Sequence, residues 1–468
     1  MQQLSQQLIR SKADLPEKVL QFGTGILLRG LPDFFIDKAN KAGIFQGKIV
    51  IVKSTSGGTD DFQKQDGLFT TCIRGIQNGQ VVSENIINES ISRVISANDN
   101  WNDILMIAQS IDLQVVISNT TEVGIQYVEE SIFAKPPTSF PAKLTAVLYK
   151  RFKNQLDGLV IIPTELIPDN GLKLKNIVLQ LIEFNHLGEE FKNWVEKENS
   201  FCNSLVDRIV TNVTPEISHS LPYQDALAIQ TEPYRLWAIQ GDKKVKEVLS
   251  FAQVDEGVII AENIDYYRER KLRLLNGTHT ISVCKGYLKG FNTVYECMQD
   301  AEMQHFIKNV MLEEIAPTVL AQDFKHLQPT KADLEKFAYE VLDRFGNPHI
   351  VHYLLSITLQ ATSKMKMRNI PTILRYYQQF GKAPHLMAEG FKAYLLFMRV
   401  VKEENGKFYG KRGADFYLIQ DDYASYFAEK WKNIATEDTQ AVNQVLHQIY
   451  NDADFWGTDL TKVQGFIV

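Results

Sequence analysis

Apolar residues in the first half of the chain come in short, dense runs. Val19-Leu20-Gln21-Phe22, Lys48-Ile49-Val50-Ile51-Val52, Val115-Val116-Ile117-Ser118 and Leu159-Val160-Ile161-Ile162 are rich in β-branched residues, and the last two lead into polar loops. Runs of this length and make-up predict strands. Between or after them the spacing turns helical, over about 26–41 and near 97–110, 141–154 and 171–186. Strand and helix in series predict a doubly wound parallel sheet. One interruption stands out: the runs 68–76 and 81–87 flank Asn78-Gly79, a hairpin signal. An antiparallel hairpin inserted in the parallel sheet is therefore expected.

The second half reads differently. After the strand-like Gly257-Val258-Ile259-Ile260 and the helix that follows Tyr266, the pattern is mostly helical, with breaks such as Gly346-Asn347-Pro348. Two domains are expected, an α/β domain over residues 1–262 and a mostly α-helical domain over 263–468. A cleft between two such domains is a usual place for a substrate.

Length supports the division, since 468 residues exceed one ordinary domain. The net charge of −6 and pI near 5.9 argue against nucleic acid, which calls for a basic face. Cys72, Cys202, Cys284 and Cys297 are scattered and form no CxxC pair. That argues against a disulfide framework or structural zinc and suits a reducing cytosol. The opening MQQLSQQLIRSKADLPEK has no apolar core of signal-peptide length, and no apolar run is long enough to span a membrane. The expectation is a cytoplasmic protein with a small-molecule ligand, no nucleic-acid or membrane partner, acting as a monomer or small homo-oligomer.

Gly23-Thr24-Gly25 follows the first strand and opens a helix. Glycines there allow a tight turn, and a helix N-terminus offers free N–H groups to a pyrophosphate. Arg29, in the first turn, can pair with phosphate. The third fingerprint position is Leu28, with Gly30 two residues on. A plain strand-to-helix turn is the competing reading, but its place in the first βα unit favours a Rossmann-type dinucleotide site. The acidic residue that marks NAD at the end of the second strand is missing, since that strand ends Lys53-Ser54-Thr55. Motif alone leaves NAD and NADP open.

Lys271, Asn276 and His279 form the most informative group. On an α-helix Asn276 would lie about 140° and His279 about 80° from Lys271, so all three can share a side. Reduction of a ketone creates an alkoxide. A lysine can protonate it, and a flanking amide and imidazole can bind the developing oxyanion, with no metal. The competing reading is a solvated charge beside Arg270 and Arg273 and a mere Asn-Gly turn. His349 and His352 are spaced as a metal pair would be, yet no carboxylate or cysteine joins them in a known ligand pattern. Lys364, Lys366 and Arg368 form a charge run that is usually a solvated face, though one of them can meet a substrate carboxylate.

The spacing Lys-x4-Asn-x2-His resembles the signature of the polyol-specific long-chain dehydrogenases, the mannitol dehydrogenase family. The resemblance covers nearly the whole chain. It includes Leu20-Gln21-Phe22-Gly23-Thr24-Gly25, Asn203-Ser204-Leu205-Val206-Asp207-Arg208-Ile209, Thr231-Glu232-Pro233-Tyr234 with Trp237, and Arg344-Phe345 with Asn347-Pro348. It implies NAD as cofactor, Lys271 as general acid/base, Asn276 and His279 as oxyanion and substrate contacts, and Asn203 as a further oxyanion donor. Arg344 and His352 are the expected substrate contacts. The cofactor is expected to meet Val19, Leu20, Gln21 and Phe22 of the strand, Gly23, Thr24 and Gly25 of the turn, and Ile26, Leu27, Leu28, Arg29 and Gly30 of the helix. Lys53, Asn119, Thr120 and Glu122 complete that set.

Within the family, Ser118-Asn119-Thr120-Thr121-Glu122-Val123-Gly124-Ile125 and Gln65-Asp66-Gly67-Leu68-Phe69-Thr70-Thr71 resemble the branch that reduces D-tagaturonate to D-altronate with NADH. The fructuronate and mannitol branches are the alternatives. Mannitol dehydrogenases carry an acidic pair after the T-E-P segment, where this chain has Gln240-Gly241-Asp242. A dinucleotide sensor without chemistry is the alternative of another class. An intact Lys271, Asn276 and His279 argue against it, because a sensor needs no proton donor.

Overall fold

Thirteen strands are found among the described residues up to Ala261: β1 (Glu17–Phe22), β2 (Lys48–Lys53), β3 (Phe69–Gln77), β4 (Gln80–Asn88), β5 (Ile91–Ser96), β6 (Val115–Ser118), β7 (Val160–Pro163), β8 (Ser200–Phe201), β9 (Ser204–Asp207), β10 (Val210–Asn212), β11 (Ile229–Thr231), β12 (Leu236–Gln240) and β13 (Val258–Ala261). The computed structural model describes residues 1–9, 14–121, 123–325, 327–435 and 438–467. The chain divides into two units, residues 1–74 with 81–264 and residues 75–80 with 265–468.

The main sheet of the first unit has the order β5-β2-β1-β6-β7-β8, with every neighbouring pair parallel. Its inner strands are buried on both faces, which is why they read as unbroken apolar runs. Alternate residues feed two cores. Leu20, Phe22, Val50, Val52 and Val116 enter one, while Val19, Ile49, Ile51, Val115 and Ile117 enter the other. The chain leaves β1 toward β2 on one side and returns to β6 on the other. Loops at the carboxyl ends of β1 and β6 thus meet at a topological switch point, the usual ligand position in such sheets.

Three details differ from the sequence reading. Asn78 and Gly79 do turn a hairpin, with φ of 53° and 73°. The hairpin is not inserted in the parallel sheet, however. β3 pairs with β11, and β3 and β4 belong to a separate sheet of order β10-β11-β3-β4. One edge of the main sheet is instead β5, whose mixed Ile91-Ser92-Arg93-Val94 pattern hid it. The helix expected over 26–41 is two helices, Ile26–Gly30 and Pro32–Lys41. Pro32 donates no N–H and starts a new helix at its first position.

The second unit is mostly helical, with an unforeseen three-stranded antiparallel sheet of β14 (Lys402–Glu404), β15 (Lys407–Arg412) and β16 (Asp415–Leu418). Three of its described segments are π-helical: Lys271–Gly277, Val310–Ile315 and Met365–Asn369. None of the described helices is long and apolar enough to cross a membrane.

Asp33, in the first turn of Pro32–Lys41, is fully buried, and its carboxylate accepts from the Gln21 amide at 3.4 Å. Burial pushes its carboxyl up to about 8. An unfolded aspartate ionises near 3.9. Between those values the folded chain keeps a proton that the unfolded chain has released, so stability falls as pH rises toward 8 and levels above it. Asp33→Asn removes this titration. The unfolding free energy of the variant relative to the wild type is expected to rise from pH 5 to 8, by up to about 1.4 kcal/mol per pH unit, and its melting temperature to gain accordingly. Parallel melting profiles for the two proteins across that range would refute the assignment.

Candidate functional site

In the first unit, the turn after β1 and the loop after β6 are built together. Gly23 has φ of 127°, and a Cβ there would lie 2.8 Å from the Asn119 carbonyl oxygen, so glycine is required by both conformation and space. The Asn119 N–H donates to the Phe22 carbonyl at 3.1 Å. Gly25 caps Ile26–Gly30 with no side-chain cap, and a Cβ on it would meet nothing within 4 Å. The backbone N–H groups there are open to an anion, and the room a side chain would fill is free.

Glu165 fixes the loop after β6. Its Oε1 accepts from the Thr120 N–H at 2.9 Å and the Thr120 hydroxyl at 3.0 Å, and its Oε2 accepts from the Ser118 hydroxyl at 3.1 Å. The Asn119 amide donates to the Thr164 hydroxyl at 3.0 Å. Burial raises the Glu165 carboxyl, while the bonds from Thr120 and Ser118 oppose the rise. Lys53, at the end of β2, reaches the Ser56 carbonyl at 3.1 Å.

Two expected cofactor contacts have other work. The Arg29 guanidinium is buried, donates to the Leu227 carbonyl and lies 5.8 and 5.6 Å from the Phe62 and Phe69 rings. Gly30 is small because Val210 is close: a Cβ would come within 2.7 Å of it. Both are accounted for by packing. Glu122 lies outside the described residues. Asn203 holds local structure: its Oδ1 accepts from the Leu172 N–H at 3.0 Å, and its Nδ2 donates to Gln240 at 2.9 Å. One Nδ2 hydrogen is left over for a ligand.

In the second unit, Lys271 and Asn276 lie on the π segment Lys271–Gly277, and His279 lies in the first turn of the α-helix Thr278–Leu288. This alters the geometry read from sequence. A π turn closes its hydrogen bonds from i to i+5, so residues five apart stack on one side. The separation of about 140° expected for an α-helix does not apply.

The His279 ring packs on Phe345 with centroids 4.0 Å apart, and the His352 ring is 6.0 Å away. Behind it lies a cavity of about 10 Å³ lined in part by Val294, Cys297 and Leu354, the size of one water. Desolvation holds the His279 imidazole well below its ordinary range, and His352, Arg344, Arg368 and Lys364 push it the same way. His279 is therefore neutral near pH 7. Burial, and then Arg344, lower His352 as well. Burial, and then Arg368, lower the Lys364 ammonium.

The structure thus brings Arg344, His352, Lys364 and Arg368 around His279. It separates Lys366 from them. The Lys366 ammonium sits 4.1 Å from the Tyr423 ring and 4.0 Å from the Phe455 ring, which suits a cation–π contact. Among the described residues, no group of three or more His, Cys, Asp or Glu could hold a metal ion.

Sequence reasoning missed Phe345 as the shelf for His279, Glu165 as the anchor of the β6 loop, and the π segments. The five-residue Lys-to-Asn spacing was the available signal for a π turn.

Residues 17–252 match the mannitol dehydrogenase Rossmann domain, and residues 263–468 match the mannitol dehydrogenase C-terminal domain. The altronate oxidoreductase of Halalkalibacterium halodurans is 38% identical, covering 98% of this chain and 90% of that one. That of Bacillus subtilis is 36% identical, covering 99% and 93%. Among solved structures, Pseudomonas fluorescens mannitol 2-dehydrogenase, in a ternary complex with NAD and D-mannitol, shares the fold with a TM-score of 0.65. Its identity is 22%, and the match covers 100% of this chain and 95% of that one. A D-sorbitol dehydrogenase in substrate-free form matches with a TM-score of 0.78 at 18% identity, over 99% and 96%.

Removing the Glu165 carboxylate strands the half-buried Thr120 donors. Glu165→Ala is expected to lower unfolding free energy by about 1–3 kcal/mol, and Glu165→Gln, whose amide oxygen still accepts, by clearly less. Chemical denaturation of the three proteins checks this. Equal losses for Ala and Gln would show that the hydrogen bonds are not what Glu165 contributes.

Proposed function

The chain belongs to the mannitol dehydrogenase family, and on that footing we propose that it reduces D-tagaturonate to D-altronate with NADH. It is an oxidoreductase acting on CH–OH groups. The observation that carries the substrate reading is the set of cations around His279, namely Arg344, Arg368 and Lys364. A chain of net charge −6 needs local cations to hold an anionic sugar acid. The names of the near full-length relatives, altronate oxidoreductases, support altronate as the alcohol of the pair.

When bound, the dinucleotide supplies hydride to the keto carbon. The turn at Gly23 and Gly25 and the loop held by Glu165 suit its pyrophosphate and neighbouring groups. Reduction places negative charge on the former keto oxygen. Lys271 gives that oxygen its proton and takes it back in the reverse direction. Asn276 and His279 donate hydrogen bonds as the charge grows. A neutral imidazole keeps one N–H to donate and has no spare proton to lose at low cost. His279 therefore serves as a hydrogen-bond donor, and proton transfer belongs to lysine. With acid and oxyanion donors all supplied by side chains, the proposed reaction needs no metal.

Lys271→Met is expected to lower kcat about 10²–10⁴-fold and to leave NADH binding unchanged. If the variant keeps more than about a third of wild-type kcat in NADH oxidation assays, Lys271 is not the acid.

The substrate is tested by NADH oxidation with tagaturonate, fructuronate and fructose in parallel. Tagaturonate is expected to lead, and fructose to lag widely. Lys364→Met is expected to raise KM for tagaturonate about 10- to 150-fold, the worth of one charge-assisted hydrogen bond, with fructose little changed. Lys366→Met should leave both unchanged. Equal efficiency on fructose would make a polyol dehydrogenase the better description, and no turnover on any of the three would favour a binding-only protein.

A further inference from the structure

The π turn that aligns Lys271 with Asn276 is not held by its own helix alone. Helix geometry with i to i+5 bonds is rare and appears as short insertions, often at functional sites. Where such a turn rejoins an α-helix, carbonyls at the junction leave the regular ladder and need donors from elsewhere. In this structure the donors come from a second π segment.

Asn369 Nδ2 donates to the Gly277 carbonyl at 3.0 Å. Arg368 Nη1 donates to the Thr280 hydroxyl at 3.1 Å and approaches the Asn276 carbonyl at 3.5 Å. The Thr280 hydroxyl itself donates to the Asn276 carbonyl at 2.9 Å. The favour is returned. Arg273, on the first segment, donates from Nη1 to the carbonyls of Met367 at 2.9 Å and Arg368 at 2.7 Å. The Met367 carbonyl is available because Pro371 brings no N–H to it. The partners are set in turn: Glu269 accepts from Arg273 Nε at 2.9 Å, and Thr372 donates to the Arg368 carbonyl at 2.9 Å. Each π segment thus satisfies the other's loose carbonyls.

Asn369 is the telling member. It lies inside a continuous helical stretch, where Met365–Asn369 passes into Ile370–Phe380. It is fully buried, and its Oδ1 has no hydrogen-bond partner among the described residues. The fold tolerates an unpaired buried oxygen in order to aim Nδ2 at Gly277.

We propose that Asn369 is a positioning residue for the catalytic pair. By holding the Gly277 carbonyl at the end of the π turn, it keeps the extra residue between Lys271 and Gly277. Without that hold the turn can relax to α geometry, which swings Asn276 about 140° from Lys271. The inference rests on the reading of Lys271 and Asn276 as the acid and the oxyanion donor.

The test uses the full chain with Asn369→Ala and with Asn369→Asp, which keeps the shape but loses the donor. Both are expected to lower kcat about 10- to 100-fold, the effect of a misplaced catalytic group. KM for NADH should stay within about twofold of wild type, because the cofactor turn is elsewhere. A purely structural role would lower the melting temperature and the folded fraction but leave kcat per folded molecule unchanged. Folded Asn369→Ala with kcat within about twofold of wild type overturns the proposal. If neither variant folds, Thr280→Val decides. It removes the hydroxyl that joins Arg368 to the Asn276 carbonyl, and should lower kcat about 3- to 10-fold with little change in melting temperature; unchanged kcat overturns the proposal. Lys271→Met separates the two readings. An active Lys271→Met overturns the assignment of the acid and this inference with it. An inactive Lys271→Met beside fully active Asn369 and Thr280 variants overturns this inference alone.

Discussion

A lysine and an asparagine five residues apart share a side only when the helix between them carries an extra residue in its turn. The second unit is arranged around that requirement. The π segment Lys271–Gly277 supplies the extra residue. The segment Met365–Asn369 supplies the donors that its carbonyls need and takes donors back through Arg273. Proline at position 371 is part of the same construction, since a residue with an N–H there would compete for the Met367 carbonyl that Arg273 uses. An α-helix with ordinary caps would be more stable locally, and would point the two side chains apart.

The same elements set the charge of the site. Lys364 precedes the second π segment, Arg368 lies within it, and Arg344 stands beside Phe345 in the last turn of their helix. With His279 packed on Phe345, these cations and burial keep the imidazole uncharged. Neutrality matters to its proposed part. A charged imidazole would compete with lysine as acid and would lose more free energy to burial. Cations that repel one another in a shared, partly dry region also gain most from an anionic ligand, which links the protonation of the histidine to the proposed choice of a sugar acid.

In the first unit the controlling constraint is closeness. Gly23 touches the Asn119 carbonyl, and Asn119 is hydrogen-bonded to Phe22 at the end of β1. The two loops at the switch point are therefore one piece of structure, and Glu165 fixes it from below through Thr120 and Ser118. Arg29 and Gly30, read from sequence as cofactor contacts, are explained by packing against Leu227 and Val210.

The sequence by itself determined the parallel sheet, because strands buried on both faces must be unbroken apolar runs, and it determined the hairpin at Asn78-Gly79, because few other pairs adopt two positive φ values. It also marked the glycine turn and the Lys271, Asn276 and His279 group, whose residue types are few and closely spaced. Tertiary structure decided what depends on partners distant in the chain. It placed the hairpin in a second sheet through pairing with β11, more than 150 residues away in the chain. It turned Arg29 inward, and it sorted Lys366 from Lys364 and Arg368 by setting one against aromatic rings and the others near His279. Above all it set the helical period at Lys271. Local propensity favours the α-helix there, and donors from Arg368 and Asn369, about 90 residues further along the chain, reach the carbonyls of the wider turn.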